Sequence, residues 1–321
     1  MPRAISWTDK GRRRPPAFVD DPELWLIAPV VVCAGMAIVL SLAPLVGWPG
    51  ATFLGVLLSV PGMIAPDPVL PISMAVIAFV ARRWVFNGQV GKEQFRGFLP
   101  QLTLIALGYG VYSFGRVHFE PGRSEAVTNA REVIDLERSL GMFFEASVQE
   151  FFARGIFTEL FNAIYLFGYW PLPIVALFVF YLRDRNGYRI LRNALVISAL
   201  MALVTYALYP VAPPRLMPGL GIEDTIEHGR VVSNQFAAVP SLHAGWPTLV
   251  GFMVFVRATG WIRYAALVPG PLMVLTIIVT GNHYWLDAVI GITYALVPAV
   301  YLLALDQQVG GRESPDTRVR V

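Results

Sequence analysis

Apolar residues run through most of this chain in blocks of about 20, long enough to cross a bilayer as a helix. The blocks lie at 24–46, 69–85, 98–117, 158–182, 189–210, 241–257, 262–281 and 284–305. A further apolar stretch, 51–66, is broken by PGMIAPDP, and reads either as a re-entrant piece or as half of a kinked helix with 69–85. The segment 124–152 behaves differently. Val127, Ala130 and Ile134 form one stripe at helical spacing, Phe144, Val148, Phe151 and Phe152 form another, and Gly141 separates them. This pattern predicts two short amphipathic helices in the interface, apolar face down and acids and arginines up. They would either cover the bundle or shape a lateral entrance for a lipid.

Composition strengthens the membrane reading. Hydrophobic residues make up 55% of the chain and charged residues 15%, against roughly 25% charged in soluble proteins. The expected fold is an all-α, polytopic membrane bundle. The first block is too long for a cleavable signal and reads as a retained anchor. Cys33, the single cysteine, lies within it, so no intrachain disulfide is expected. The tails 1–22 and 306–321 are polar and expected to be mobile.

The net charge is only +3, so its distribution matters more than its sum. Arg3, Lys10 and Arg12–Arg14 precede the first block, which places the N-terminus in the cytoplasm. If 51–66 does not cross, three basic clusters fall on the same side: Arg82 to Arg96, Arg183 to Arg192, and Arg257 with Arg263. Arg312, Arg318 and Arg320 then place the C-terminus there too. The segments 118–157, 211–240 and 282–283 face outward. These arginines read as topology determinants, and no nucleic-acid partner is expected.

The outward segments carry the candidate chemistry. His243 lies in PSLHAGW at 240–246 and His283 in TGNHYWLD at 280–287, each at the rim of a span. Ionisable groups at such positions are costly and mark functional sites. Asp287 follows His283 by four residues, which on a helix would put its carboxylate one turn below the imidazole. An acid-held histidine is a good nucleophile toward phosphorus, and a second histidine can protonate the leaving alkoxide and later activate an acceptor. The pattern assigns His283 and Asp287 to the first role and His243 to the second. Ser241 and the neighbouring amides open a helix, a place for an anion. Arg215, held by Pro213 and Pro214 in YPVAPPR, suits phosphate oxygens. Asn282 beside His283 and Arg116 at the end of block 98–117 are further phosphate-binding candidates. His118 and His228 are isolated and Cys33 lies within a span, so neither a metal nor another cofactor is expected.

PSLHAGW followed by TGNHYWLDAVIG resembles the second and third motifs of the type 2 phosphatidic acid phosphatase superfamily. Together with YPVAPPR, it is similar to the branch containing inositol phosphorylceramide synthases. The resemblance covers 98–305 and implies a six-helix catalytic core, preceded by extra membrane helices in 1–97 and followed by a cytoplasmic tail, 306–321. It implies His283 as nucleophile through a phosphohistidine, Asp287 as its partner, His243 as general acid and Ser241 at the phosphate. The pattern departs from ordinary phosphatases at two cations. Leu208 stands where the lysine of the first motif would be, with Pro218 displaced by three residues, and Ile277 replaces the arginine of the third. The inositol phosphorylceramide synthase-like branch lacks that pattern too.

The expected function is an integral-membrane lipid phosphotransferase or phosphatase of the bacterial plasma membrane, with its site on the extracytoplasmic side. Its partners would be a phospholipid or polyprenyl-phosphate substrate and, for transfer, a polyol or lipid-alcohol acceptor. A plain lipid phosphate phosphatase is the alternative. A transporter would need ionisable residues along a mid-membrane path and matching broken repeats, and a degenerate scaffold would have lost a histidine or the aspartate. The chain shows neither pattern.

Overall fold

In a computed structural model of the protein, the described residues are 101, 122–169, 171–226 and 234–312, without the side chains of 167 and 309–312. The whole expected N-terminal portion 1–97, all three blocks up to 117 apart from residue 101, and Arg116, Cys33, His118 and His228 lie outside them. The described part is helical, with one isolated parallel bridge, Val211 to Ala237, and no strand.

Two helices precede the bundle, α1 (Arg123–Ser139) and α2 (Glu145–Phe152), separated near Gly141, whose φ of +68° is a left-handed turn geometry that glycine adopts without strain. The expected pair is therefore present, and Ala130 and Ile134 of the α1 stripe are buried while its arginines face out, but two acids and the aromatic residues of α2 are not placed as expected. The buried face of α1 includes Glu137 beside Ala126, Ala130, Val133 and Ile134, and the buried residues of α2 are Glu145 and Gln149. Phe151 is 71% exposed. Acids point inward because backbone amides of a neighbouring helix need acceptors there, a demand invisible in the apolar stripe.

The expected span 158–182 is two helices, α3 (Ile156–Gly168) and α4 (Pro171–Arg183), forming a bent pair. Pro171 and Pro173 withhold amides from any continuous helix, which accounts for the break. α5 (Arg185–Leu208), α6 (Leu242–Arg257), the single turn α7 (Ile262–Ala265), α8 (Pro269–Val279) and α9 (Trp285–Arg312) follow. Three helical segments among the described residues are long and apolar enough to cross a membrane: Arg185–Leu208, Ile262–Val279 and Trp285–Gln308. Counting the α3–α4 pair as one span makes four. This is an integral membrane protein. α6, expected as a span over 241–257, has only 16 residues, about 24 Å of helix, and sits at the centre against α4, α5, α8 and α9. α9 continues through 306–312, expected as polar tail, where Asp306 accepts a hydrogen bond from Asn186 at 2.5 Å.

Small residues let the central helices meet. A Cβ at Gly245 of α6 would lie 2.4 Å from the Gly291 carbonyl oxygen, and one at Gly291 of α9 would lie 2.0 Å from that of Ser241. The two backbones touch there, the mode of close packing that glycine allows between membrane helices. The Ser241 amide donates to the Asp287 carbonyl at 2.9 Å, so the first turns of α6 and α9 are locked side by side. At the far end Arg257 makes a bidentate pair with Asp184, at 2.6 and 2.8 Å.

Candidate active site

The locked first turns bring together the two histidine motifs. His243 is the second residue of α6, and His283 lies in the turn between α8 and α9. Their ring centroids are 5.6 Å apart. His283 is thus not on a helix with Asp287, as the four-residue spacing suggested. Gly281, at φ +68°, ends α8, and the His283 amide returns to the Ile277 carbonyl at 3.2 Å. Asp287 is the third residue of α9, and its Oδ2 reaches back to accept the Tyr284 amide at 2.9 Å, half of a capping box. The same Oδ2 lies 3.4 Å from His283 Nδ1.

The nearest partner of that nitrogen is the Ala238 carbonyl oxygen, at 2.8 Å. A carbonyl can only accept, so Nδ1 carries the hydrogen and the neutral ring presents its lone pair on Nε2. The sequence pointed to Asp287 and not to Ala238, which a long loop delivers. That loop is fixed at both ends: Val211 N donates to Phe236 O at 2.8 Å, Ala238 N donates to Val211 O at 3.3 Å, and Tyr206 Oη donates to Pro240 O at 2.8 Å. Tyr284 Oη adds a bond to Ala212 O at 3.1 Å.

His243 packs against Tyr165, with centroids 4.4 Å apart and rings within 14° of parallel, and against Tyr169 at 4.0 Å. Tyr169 also stacks on Trp246, whose indole donates to Ser198 Oγ at 3.1 Å. Both tyrosines were missed in the sequence. Their i, i+4 spacing, Tyr165 in α3 and Tyr169 at its C-cap, is a signal only once that end of α3 is known to lie against His243.

Ser241 is fully buried and caps α6, its Oγ accepting the Ala244 amide at 3.4 Å. Arg215 sits in a 3-10 turn, Pro214–Leu216, its amide bonded to Gly281 O at 3.0 Å. Its Nη1 donates to Asn282 Oδ1 at 2.6 Å, and its Nε is 3.3 Å from Asp224 Oδ2. Asn282 also donates to the Thr280 carbonyl and hydroxyl, so its side chain orients Arg215 next to the histidine turn. Among the sequence candidates, His243, His283, Asp287, Ser241, Asn282 and Arg215 therefore occupy one region, and Arg116 lies outside the described residues.

A family model described as PAP2 superfamily matches residues 131–301, more than half of the 321-residue chain. The protein belongs to the PAP2 superfamily. Its membership makes it an enzyme of lipid phosphatase or phosphotransferase type. The PAP2 match begins within α1 and ends within α9, so it takes in both histidine motifs and both buried glutamates. No curated protein and no solved structure matches the chain.

Proposed function

We propose that the protein transfers a phosphoryl or phospho-alcohol group from a membrane lipid to an alcohol acceptor through a phosphohistidine at His283, as in the inositol phosphorylceramide synthase-like branch. The observation that carries this is the Nδ1 contact with Ala238 O at 2.8 Å, backed by Asp287 Oδ2 at 3.4 Å. It leaves Nε2 as the nucleophilic atom, and Asp287 offsets the charge of the phosphorylated ring. Nε2 attacks phosphorus, the bond from phosphorus to the leaving alkoxide breaks, and His243 gives that oxygen its proton. An acceptor hydroxyl then loses its proton to His243, its oxygen bonds phosphorus, and the phosphorus–nitrogen bond breaks. Arg215 and the positive end of the α6 dipole supply charge for the phosphoryl oxygens.

The branch assignment rests on YPVAPPR and on Leu208 and Ile277 replacing the two phosphatase cations. The lipid tail is proposed to enter sideways below α2. An apolar groove of about 370 Å³ supports this, lined by Phe144 and Val148 of α2 with α8 and the first turns of α9, including Trp285. The site is assigned to the extracytoplasmic face by the arginine distribution.

Purified protein incubated with labelled phosphatidylinositol, phosphatidylglycerol and polyprenyl phosphates, with and without an alcohol acceptor, tests the function. A labelled phosphodiester that requires His283 and falls about 10²–10⁴-fold in His243→Ala is the expected result. Inorganic phosphate released from a monoester regardless of acceptor would replace transfer by plain phosphatase activity.

A further inference from the structure

The two acids buried on α1 and α2 have no role in the proposed chemistry, yet both are 0% exposed. A carboxyl group in that state needs a specific compensation. Glu145 Oε1 accepts the Trp285 amide at 3.1 Å, and Glu137 Oε1 accepts the Leu286 amide at 3.1 Å. Asp287 already accepts the Tyr284 amide, so three consecutive amides at the start of α9 are each bound by a different carboxyl. Glu145 Oε2 takes the Phe144 amide at 3.0 Å, whereas Glu137 Oε2 is buried with no ordinary donor. The carboxyl groups of Glu137 and Glu145 lie within hydrogen-bonding reach of one another. Two carboxylates cannot bond without a proton between them.

We propose that Glu137 and Glu145 share one proton as a carboxyl pair that clamps the first turn of α9 and so positions His283 and Asp287. The positioning rests on the catalytic assignment of His283 above. Both glutamates are positioning residues, acting on the histidine through Trp285, Leu286 and Asp287. Among the described residues, no three His, Cys, Asp or Glu side chains are grouped to hold a metal ion.

Burial raises the Glu137 carboxyl to about 9, with Glu145 and Asp287 adding to the effect, and burial also raises Glu145. The titratable groups around the pair are Asp287 and Tyr284 at the start of α9, with His283 beyond Asp287. Above that pH the shared proton leaves. A second negative charge then stands among the amides that hold the turn and beside Asp287, which strains the geometry the histidine needs.

Two measurements decide the matter. The infrared spectrum of the purified wild-type protein should carry the carbonyl stretch of a protonated carboxylic acid at pH 7, disappearing with a midpoint near pH 9. Its absence at pH 7 would overturn the shared proton without any variant. In kinetics, wild-type kcat should fall about tenfold across the same alkaline range with KM little changed. Glu137→Gln, which keeps the acceptor oxygen and replaces the shared proton by an amide hydrogen, should flatten that limb. Glu137→Ala should lower kcat at every pH. An alkaline limb identical in wild type and Glu137→Gln overturns the positioning role. Activity surviving in His283→Ala would instead overturn the catalytic assignment, while the infrared band would still decide the pair.

Discussion

At His283 a single hydrogen position separates a nucleophile from a buried polar residue. Ala238 O fixes that hydrogen on Nδ1, and in the proposed mechanism Asp287 supplies the charge that a phosphorylated ring needs. Asp287→Asn keeps an oxygen for the Tyr284 amide, so the protein should still fold. Its kcat should drop about 10²–10⁴-fold, with KM changed far less, because the lost charge stabilises the imidazolium and not the bound lipid. Glu137 adds a stability effect of definite sign. Its carboxyl rises from 4.5 to about 9 on folding, so between those values the folded chain binds a proton the unfolded chain has released. Stability is therefore greatest below the unfolded value and declines as pH rises toward 9. Part of that stability is already lost at pH 7. Thermal unfolding in detergent should show a lower Tm at pH 8.5 than at pH 5.5, and Glu137→Gln should show a smaller difference. Equal slopes in both proteins would refute the linkage.

Helices place these residues by contact at glycine. With 2.4 and 2.0 Å between a hypothetical Cβ and the facing carbonyl oxygen, neither Gly245 nor Gly291 can gain a methyl group without the helices separating. Gly245→Ala should cost about 1–3 kcal/mol as overpacking. It should cost more in rate, about 10²-fold, because separating α6 from α9 by about an ångström moves His243 away from His283. A variant with lowered Tm and unaltered kcat would show that the crossing does not set the histidine spacing. The amphipathic helices have a comparable consequence. Their apolar stripes predict the two helices, but the inward faces also carry Glu137, Glu145 and Gln149, beside Ala126, Ala130, Val133 and Ile134 of α1. Gln149 ties the loop and α8 together, donating to Glu223 O at 2.9 Å and Val279 O at 3.0 Å, and accepting the Glu223 amide at 2.7 Å.

Across the whole bundle, the two ends differ in chemistry. His243 lies in the first turn of α6 and Arg257 ends it, about 21 Å apart by helical rise. Arg257 pairs with Asp184, their side chains 20% and 15% exposed, and Asp306 lies 4.0 Å away. Removing one partner leaves a mostly buried charge uncompensated. Arg257→Ala should therefore destabilise by about 2–4 kcal/mol, read by thermal unfolding, while KM stays within error because the site is at the other end. The proposed topology makes the two ends face opposite sides of the membrane. In a chain lacking Cys33, cysteines at the exposed positions of Glu150 and Arg183 should react with a membrane-impermeant thiol reagent from opposite sides, the former from outside. Labelling of both from one side would reverse the assignment.

The sequence by itself determined the membrane-embedded, all-α character, since runs of apolar residues have one low-energy solution in a bilayer, helices with satisfied backbones. It also determined which histidines and which aspartate to watch, because two clusters of ionisable residues at span ends on one face are costly enough to be informative together. Spacing could go no further. Whether His283 precedes α9 or lies within it turned on the left-handed turn at Gly281, and its hydrogen position turned on Ala238, 45 residues earlier and brought in by a folded loop. The break at Pro171, the inward turn of Glu137 and Glu145, and the tyrosines against His243 likewise came from tertiary structure. Each depends on which backbone groups and faces are left needing a partner after the helices pack, and no periodicity along the chain records that.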